Sequence, residues 1–545
     1  MQNDSNRREF FGRVAALGAA AGAGIPVTPA EAQSGVPSVL QDRLGKAYQY
    51  RVGRADVYNN LPPAEHPVNG DEEKYPNRIN NFSKTLLHDQ FCHVSRDAYN
   101  SLIRACNSGK NEDFERIIRG GNVRLKNPTG AYNYQLAGAD QSQYTMPAPP
   151  AFDSPAQAAA MTELYWQALS RDIPFAEYDG NTTIVRACNE LSGMSAFSGP
   201  RMGGRVTPAT VFRGHTPGDL AGPYLSQFLA LPFLMGHLEV EQKQLSFQPG
   251  LDFMTTFPDF LGIQLGEGKG PGNKYETTRR YVRNGRDLAY LVYVDWNFSP
   301  HYHALWNLLA HGPDALAESN PYLNARGQEP YVNFGPPDGF EYVARAGKPA
   351  FNAAWYQKWM VHRLARPEVF ACRVDIHKQK VQLYPIHESA LETAAAEAVR
   401  AKWGSYLLPQ AYSGGSPAHS SYPSGHATVA GACVTMLKAF FRESYVLPNP
   451  MVPAADGLSL QPWKGADLTV GNELNKLAFN IAMGRNWAGI HWRYDAWEGM
   501  KLGEQVAISL LADMTAGYMD EFPGFTFTRF DGTKITVCGG CASTA

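Results

Sequence analysis

Pro423-Ser424-Gly425-His426-Ala427-Thr428-Val429-Ala430-Gly431-Ala432-Cys433-Val434-Thr435-Met436-Leu437-Lys438-Ala439-Phe440 is the stretch from which the architecture is read. Apolar residues fall at Val429, Ala432, Cys433, Met436, Leu437 and Phe440, at intervals of 3, 1, 3, 1 and 3, the period of a helix with one apolar face. The helix starts beside the proline, so Ser424 and Gly425 occupy its N-terminus. There the free backbone N–H groups, the macrodipole and the Ser424 hydroxyl all favour an anion, and Gly425 lets that anion approach the main chain. Taken alone, Ser424 reads equally well as an ordinary N-cap.

Outward from this stretch the helical period recurs, over Ser154 to Ser170, Gly218 to Met235, Asn284 to Trp296, Phe351 to Leu364, Glu388 to Trp403, Leu474 to Met483 and Trp492 to Leu511. The class is mainly α. One β signal is clear: Phe525 to Phe530 and Thr533 to Val537 alternate around Asp531-Gly532, a hairpin in a C-terminal tail over 523–541. Residues 33–80 and the stretch from Asn127 to Pro155 carry little periodicity and read as irregular surface segments. Hydrophobic residues make up 44% of the chain and charged residues 18%, which excludes a disordered chain. A formal charge of -2 provides no global positive field for nucleic acid or an anionic membrane, so any anion site is built locally.

Two more segments concentrate such residues. Trp355-Tyr-Gln-Lys358-Trp-Met-Val-His-Arg-Leu-Ala-Arg366-Pro367 reads as a helix ended by its proline, with Lys358 and Arg366 eight residues apart and therefore on about the same face. A basic pair at this spacing more often marks a solvated face. Gly484-Arg485-Asn-Trp-Ala-Gly-Ile-His491-Trp492-Arg-Tyr-Asp495 adds a third cation. His491 and Asp495 lie four apart, so the carboxylate can orient the imidazole and leave its other nitrogen free for a central atom. A lone histidine beside a tryptophan is otherwise usually a satisfied core residue.

Taken in order, Lys358...Arg366-Pro367, Pro423-Ser424-Gly425-His426 and Arg485...His491...Asp495 resemble the signature shared by the vanadium-dependent haloperoxidases and the type 2 phosphatidic acid phosphatases. Asn81-Phe-Ser-Lys-Thr-Leu-Leu-His-Asp89 and Arg213-Gly-His-Thr-Pro-Gly-Asp-Leu-Ala-Gly-Pro-Tyr-Leu-Ser-Gln227 are similar to algal bromoperoxidases and their bacterial relatives, so the resemblance covers about residues 80–515. It implies a fold of two four-helix bundles with minor β-hairpins and a vanadate-binding core at about 345–515. It further implies that Lys358, Arg366, Arg485, Ser424 and Gly425 hold vanadate oxygens, that His491 bonds vanadium, and that His426 is the acid–base group. Vanadium would act as a Lewis acid towards hydrogen peroxide, and halide would attack an activated oxygen to give hypohalous acid that halogenates an organic acceptor. His419 stands where algal bromoperoxidases carry histidine and fungal chloroperoxidases phenylalanine, which favours bromide; Trp355 matches an aromatic wall of the halide pocket, and Asp495 orients His491.

The same side chains would serve an exported acid phosphatase, with His491 as nucleophile and His426 protonating the leaving group, because vanadate mimics phosphate. The chain is several times longer than that reaction needs, and its N-terminal segments resemble bromoperoxidases. An oxyanion-binding protein without turnover would not need both His426 and an oriented His491. Many family members form dimers or larger shells, which implies a homo-oligomer here. A calcium loop of the kind some algal members carry cannot be placed.

At the N-terminus, Arg7-Arg8 precedes a weakly apolar run from Val14 to Val27 and a small-x-small site at Ala30-Glu31-Ala32. This reads as a twin-arginine signal peptide over 1–32, ahead of one mature domain over 33–545 that is periplasmic or secreted. The run is too short and too rich in Ala and Gly to span about 30 Å of hydrocarbon. Seven cysteines are too few for a disulfide scaffold, and Cys538-Gly-Gly-Cys541 reads as a tail disulfide or two free thiols.

Overall fold

The computed structural model describes residues 42–268, 272–539 and 541–544. The expected signal peptide, with Arg7 and Arg8, lies outside the described residues. Two compact units are distinguished, Met1–Leu61 and Pro62–Ala545. The first contributes one described helix, α1 (Arg43–Asn59), which buries none of its residues. The stretch 33–80, expected to be irregular, therefore contains a 17-residue helix among its described residues.

The second unit is built on helices. They include α2 (Arg96–Ser108), α3 (Pro155–Ser170), α4 (Thr182–Gly193), α5 (Gly285–Val294), α6 (Pro336–Tyr356), α7 (Pro367–Lys378), α8 (Ala394–Trp403), α9 (Gly425–Phe440), α10 (Val470–Trp487) and α11 (Arg493–Gly517). One group packs α6, α9, α10 and α11 together with α9 at its centre, and a second gathers α4, α7 and α8 around α3. The short strands form antiparallel hairpins, β1 (Phe233–Met235) with β2 (Leu238–Val240) and β3 (Met451–Pro453) with β4 (Leu460–Pro462).

Helix α9 departs from the one-sided pattern. Apart from His426, all of its residues are buried, Lys438 included, because it has neighbours on every side. Glycines permit the closest of these contacts: a Cβ on Gly431 would lie 2.1 Å from the Met500 carbonyl oxygen, and one on Gly503 would lie 2.0 Å from that of Thr428. Backbone meets backbone where α9 crosses α11.

Several expected boundaries shift. The stretch from Gly218 to Met235 is not a helix but a series of turns ending in β1, since Gly218 and Gly222 take positive φ of 79° and 69° that a helix does not admit. The expected helix over Glu388 to Trp403 is split, with Thr393 capping α8 by accepting from the Ala396 N–H. The stretch from Asn127 to Pro155 is irregular but largely not surface, as Ala131, Tyr144, Met146 and Phe152 are buried. The expected hairpin forms as β5 (Phe525–Thr528) and β6 (Lys534–Cys538), with Phe525 opposite Val537 and Gly532 in the turn at φ 87°. A third strand, β7 (Cys541–Thr544), adds to β6. Cys538 is disulfide-bonded.

Candidate active site

The C-terminal end of α6 is where local sequence and tertiary geometry diverge most. The helix gives way to a π-helical turn over Gln357–His362, Arg363 is left-handed, and Arg366 is extended as the N-cap of α7. Pro367 thus opens a helix instead of ending one, as suits a residue with no N–H to satisfy at the first helical position. Lys358 and Arg366 do not share a helix face. They converge because both reach the same loop: the Lys358 Nζ donates to the carbonyls of Ser420 (2.7 Å) and Ser421 (2.6 Å), and the Arg366 Nε donates to that of His419 (3.1 Å).

That loop leads into α9. Ser424 is the N-cap, accepting from the Ala427 N–H at 3.4 Å, and its own N–H donates to the Asp495 carbonyl. Capping uses the Ser424 oxygen as acceptor and leaves its O–H proton free to donate, so the structural and functional readings of this serine coexist. A Cβ on Gly425 would sit 3.3 Å from the Trp355 ring and close the space over the helix N-terminus.

Arg485, in the last turn of α10, stacks on Tyr412 and donates from Nη1 to the Val292 carbonyl, while its buried Nε has no partner. An orphaned guanidinium donor is costly unless an anion comes to it. His491 lies in the turn before α11. Its Nδ1 donates to Asp495 Oδ2 at 2.6 Å, and its Nε2 accepts from Arg366 Nη1 at 2.8 Å. The same carboxylate oxygen accepts from Ser421 Oγ (2.5 Å) and the Trp492 N–H (3.1 Å). Burial pushes the Asp495 carboxyl up to about 6. Burial and the cations Arg366, Lys358 and Arg485 hold His491 well below the usual imidazole range. A neutral ring with its proton fixed on Nδ1 presents the Nε2 lone pair inward.

A cavity of about 670 Å³ opens beside these groups, lined by, among others, Trp355, His419, Gly425, His426, Arg485 and His491. His419 is buried, not a surface loop residue; its ring accepts from Arg366 Nη2 at 3.0 Å and packs 4.8 Å from Trp355. Burial and the charges of Arg366 and Lys358 keep it well below the usual range. Trp355 lines the cavity and also packs against the core cluster that holds Phe82, Leu102 and Trp359; it is half-buried, with its Nε1 donating to the Lys126 carbonyl. All ten residues expected from sequence thus meet at one end of the α6–α9–α10–α11 group.

Two features escaped the sequence reading. His426 Nε2 donates to Asp295 Oδ1 at 3.0 Å across 131 positions. Burial raises the Asp295 carboxyl, but His426 and Arg485 outweigh it and leave it below the usual range. Asp295 is the C-cap of α5, where a helix dipole disfavours an acid, and that misplacement was the available signal. Lys84, in the Asn81–Asp89 segment, donates to the carbonyls of Gly414 (3.1 Å) and Ser416 (2.5 Å), while Ser416 Oγ donates to buried Glu368. It clamps the loop that leads to His419.

The residues fit vanadate on these observations: three buried cations, an unpartnered Arg485 Nε, a free serine proton and an imidazole nitrogen, His491 Nε2, whose present partner is the Arg366 guanidinium that would itself turn to the anion. Comparison with known proteins agrees. Residues 340–520 match the model of the second helical-bundle domain of the VCPO family. The chain is 35% identical over 482 residues to a vanadium-dependent bromoperoxidase of Ascophyllum nodosum, covering 83% of this chain and 86% of that one. It is 31% identical to one of Corallina pilulifera, covering 92% and 100%. A solved structure of a second vanadate-dependent bromoperoxidase from Ascophyllum nodosum, described as homohexameric, superposes with a TM-score of 0.88 at 28% identity, over 95% of this chain and 97% of that one. With a helical bundle, an anion cradle and relatives that match along nearly the whole length, the chain belongs to the vanadium-dependent haloperoxidase family.

Proposed function

We propose that the protein uses hydrogen peroxide to oxidise bromide to hypobromous acid at a vanadate held by Lys358, Arg366, Ser424, Gly425, Arg485 and His491, and that this acid halogenates organic acceptors. The observation that carries the assignment is the combination of an unpartnered, buried Arg485 Nε with a His491 ring whose Nδ1 proton is locked on Asp495. Bound vanadate supplies a Lewis acid that activates peroxide without changing its oxidation state.

The remaining chemistry belongs to the side chains. Lys358 has spent two of its three N–H donors on carbonyls and keeps one for an oxygen of the anion. Ser424 and the Gly425 N–H serve further oxygens from the helix N-terminus. Asp295 holds His426 Nε2, leaving Nδ1 to take a proton from peroxide and return it to the leaving oxygen. Trp355 and His419 wall the space from which halide approaches. Bromide is favoured by His419 and by the names of the relatives.

The test is reconstitution. The purified chain, stripped of anion in chelating, phosphate-free buffer, is assayed for bromination of a phenol-type dye before and after orthovanadate is added. Activity that depends on vanadate and is lost to competing phosphate supports the assignment; phosphate-ester hydrolysis inhibited by vanadate would refute it. The relatives are peroxidases, and the phosphatase reading is not retained.

We also propose that residues 1–32 direct twin-arginine export to the periplasm or beyond, on the strength of Arg7-Arg8 and the Ala30-Glu31-Ala32 site. Replacing both arginines by lysine should retain the protein in the cytoplasm; unchanged fractionation would exclude that route. No helix among the described residues is long and apolar enough to cross a membrane. The homohexameric relative supports a homo-oligomer, which sedimentation would test.

A further inference from the structure

Cys92 and Cys372 meet in the interior, far apart in sequence, and nothing in the peroxidase reaction uses them. Both are fully buried free thiols, close enough that each acts on the other's ionisation. Their juxtaposition is fixed from both sides. Arg373, the neighbour of Cys372 on α7, donates to the carbonyls of Phe91 (2.9 Å) and Cys92 (2.7 Å), and the Cys92 N–H donates to the Asp89 carbonyl. Cys92 adopts a left-handed φ of 59°, which a non-glycine residue keeps only where its surroundings impose it. Solvent is close along the chain, because Asp89 and Gln90 are exposed. Cys372 lies six residues past Arg366, about 9 Å along the axis of α7.

We propose that Cys92 and Cys372 form a redox-closed staple, oxidised by hydrogen peroxide to a disulfide that ties the Asp89–His93 turn to the helix whose N-cap is Arg366. The pair is chemically prepared for this. Burial opposes ionisation of the Cys92 thiol, but the neighbouring Cys372 thiol and the Arg373 guanidinium outweigh it and lower its pKa. The thiolate attacks one peroxide oxygen, the O–O bond breaks, and the other oxygen leaves as hydroxide, taking up the thiol proton to become water; Cys92 becomes a sulfenic acid. The Cys372 sulfur then displaces the sulfenic oxygen, which leaves as a second water with the Cys372 proton, and the S–S bond forms. Two thiols lose two electrons and two protons, and one peroxide becomes two waters. The bond closes a loop of about 280 residues, the kind of long closure that most restricts an unfolded chain.

The full chain, purified without strong reductant so that the Cys538 disulfide persists, is treated with hydrogen peroxide in the absence of vanadate and halide, denatured, alkylated and mapped without reduction. The five free thiols should fall by two, with a linked peptide carrying Cys92 and Cys372 and a rise in Tm of about 3 °C or more. Cys372→Ser, nearly isosteric, should form no such peptide and gain no Tm. Both thiols remaining alkylatable, or either oxidised singly to a sulfinate without the link, would overturn the proposal. So would an equal gain of Tm in Cys372→Ser.

Discussion

Replacing Lys358 by methionine separates what this cation does for the anion from what it costs the fold. The side chain is 0% exposed, and its neighbours Arg366 and Arg485 are also positive. Burial, with those charges, drives the ammonium well below its usual range. Lys→Met keeps an unbranched chain of similar volume, so packing is retained. It removes the hydrogen bonds to Ser420 and Ser421, and it also removes an ill-compensated buried charge. These terms oppose each other, so the Tm of the anion-free protein should move by no more than about 2 °C. Affinity behaves differently. With two donors committed, Lys358 has one N–H left for vanadate, a single charge-assisted bond worth about 1.5–3 kcal/mol, or roughly 10- to 150-fold in Kd. Equilibrium dialysis of vanadate measures this without turnover, and the thermal upshift at a fixed vanadate concentration should shrink with it. A methionine variant that binds vanadate as tightly as the parent would refute the placement of Lys358 at the anion.

Three other outcomes follow from the same geometry. Asp295→Asn keeps the shape but removes the charge facing His426, so kcat for bromide oxidation should fall about 10- to 100-fold while the Kd for vanadate changes less than about threefold; parallel losses in both would show that Asp295 only supports the cradle. Gly503→Ala places a Cβ 2.0 Å from the Thr428 carbonyl oxygen, forcing α9 and α11 apart, and should cost about 3 kcal/mol or more in denaturant unfolding; an unchanged midpoint would contradict that packing. Burial lowers His88, His301 and His303 to about 4 and His362 to about 3, from 6.5. Between these values the unfolded chain binds more protons than the folded one, so their contribution is complete above about pH 6.5 and is lost as pH falls towards 4. Calorimetry should find Tm dropping steadily across that window, and a flat Tm down to about pH 4.5 would refute neutral burial of these rings.

The contrast between His491–Asp495 and His426–Asp295 marks how far the sequence reaches. Four residues separate the first pair, so the turn into one helix, with Asp495 in its first turn and His491 just ahead of the Trp492 cap, brings carboxylate and imidazole together, just as Pro423-Ser424-Gly425 places an N-terminus and Asp531-Gly532 places a turn. Such signals are local: cap chemistry, period and turn residues act within a few positions, and the chain carries them wherever it folds. The second pair spans 131 positions and exists only because α5 and α9 deliver their ends to one cavity. Packing also decided that α9 is buried all round, since an apolar interval pattern cannot count a helix's neighbours. It decided, too, that Lys358 and Arg366 converge through a π-helical turn and a shared loop, where a straight helix would have offered one face. The sequence by itself determined which groups the site possesses; the tertiary structure decided their protonation, their remaining donors and their partners, because burial and the field of distant charges arise only when the chain has closed around them.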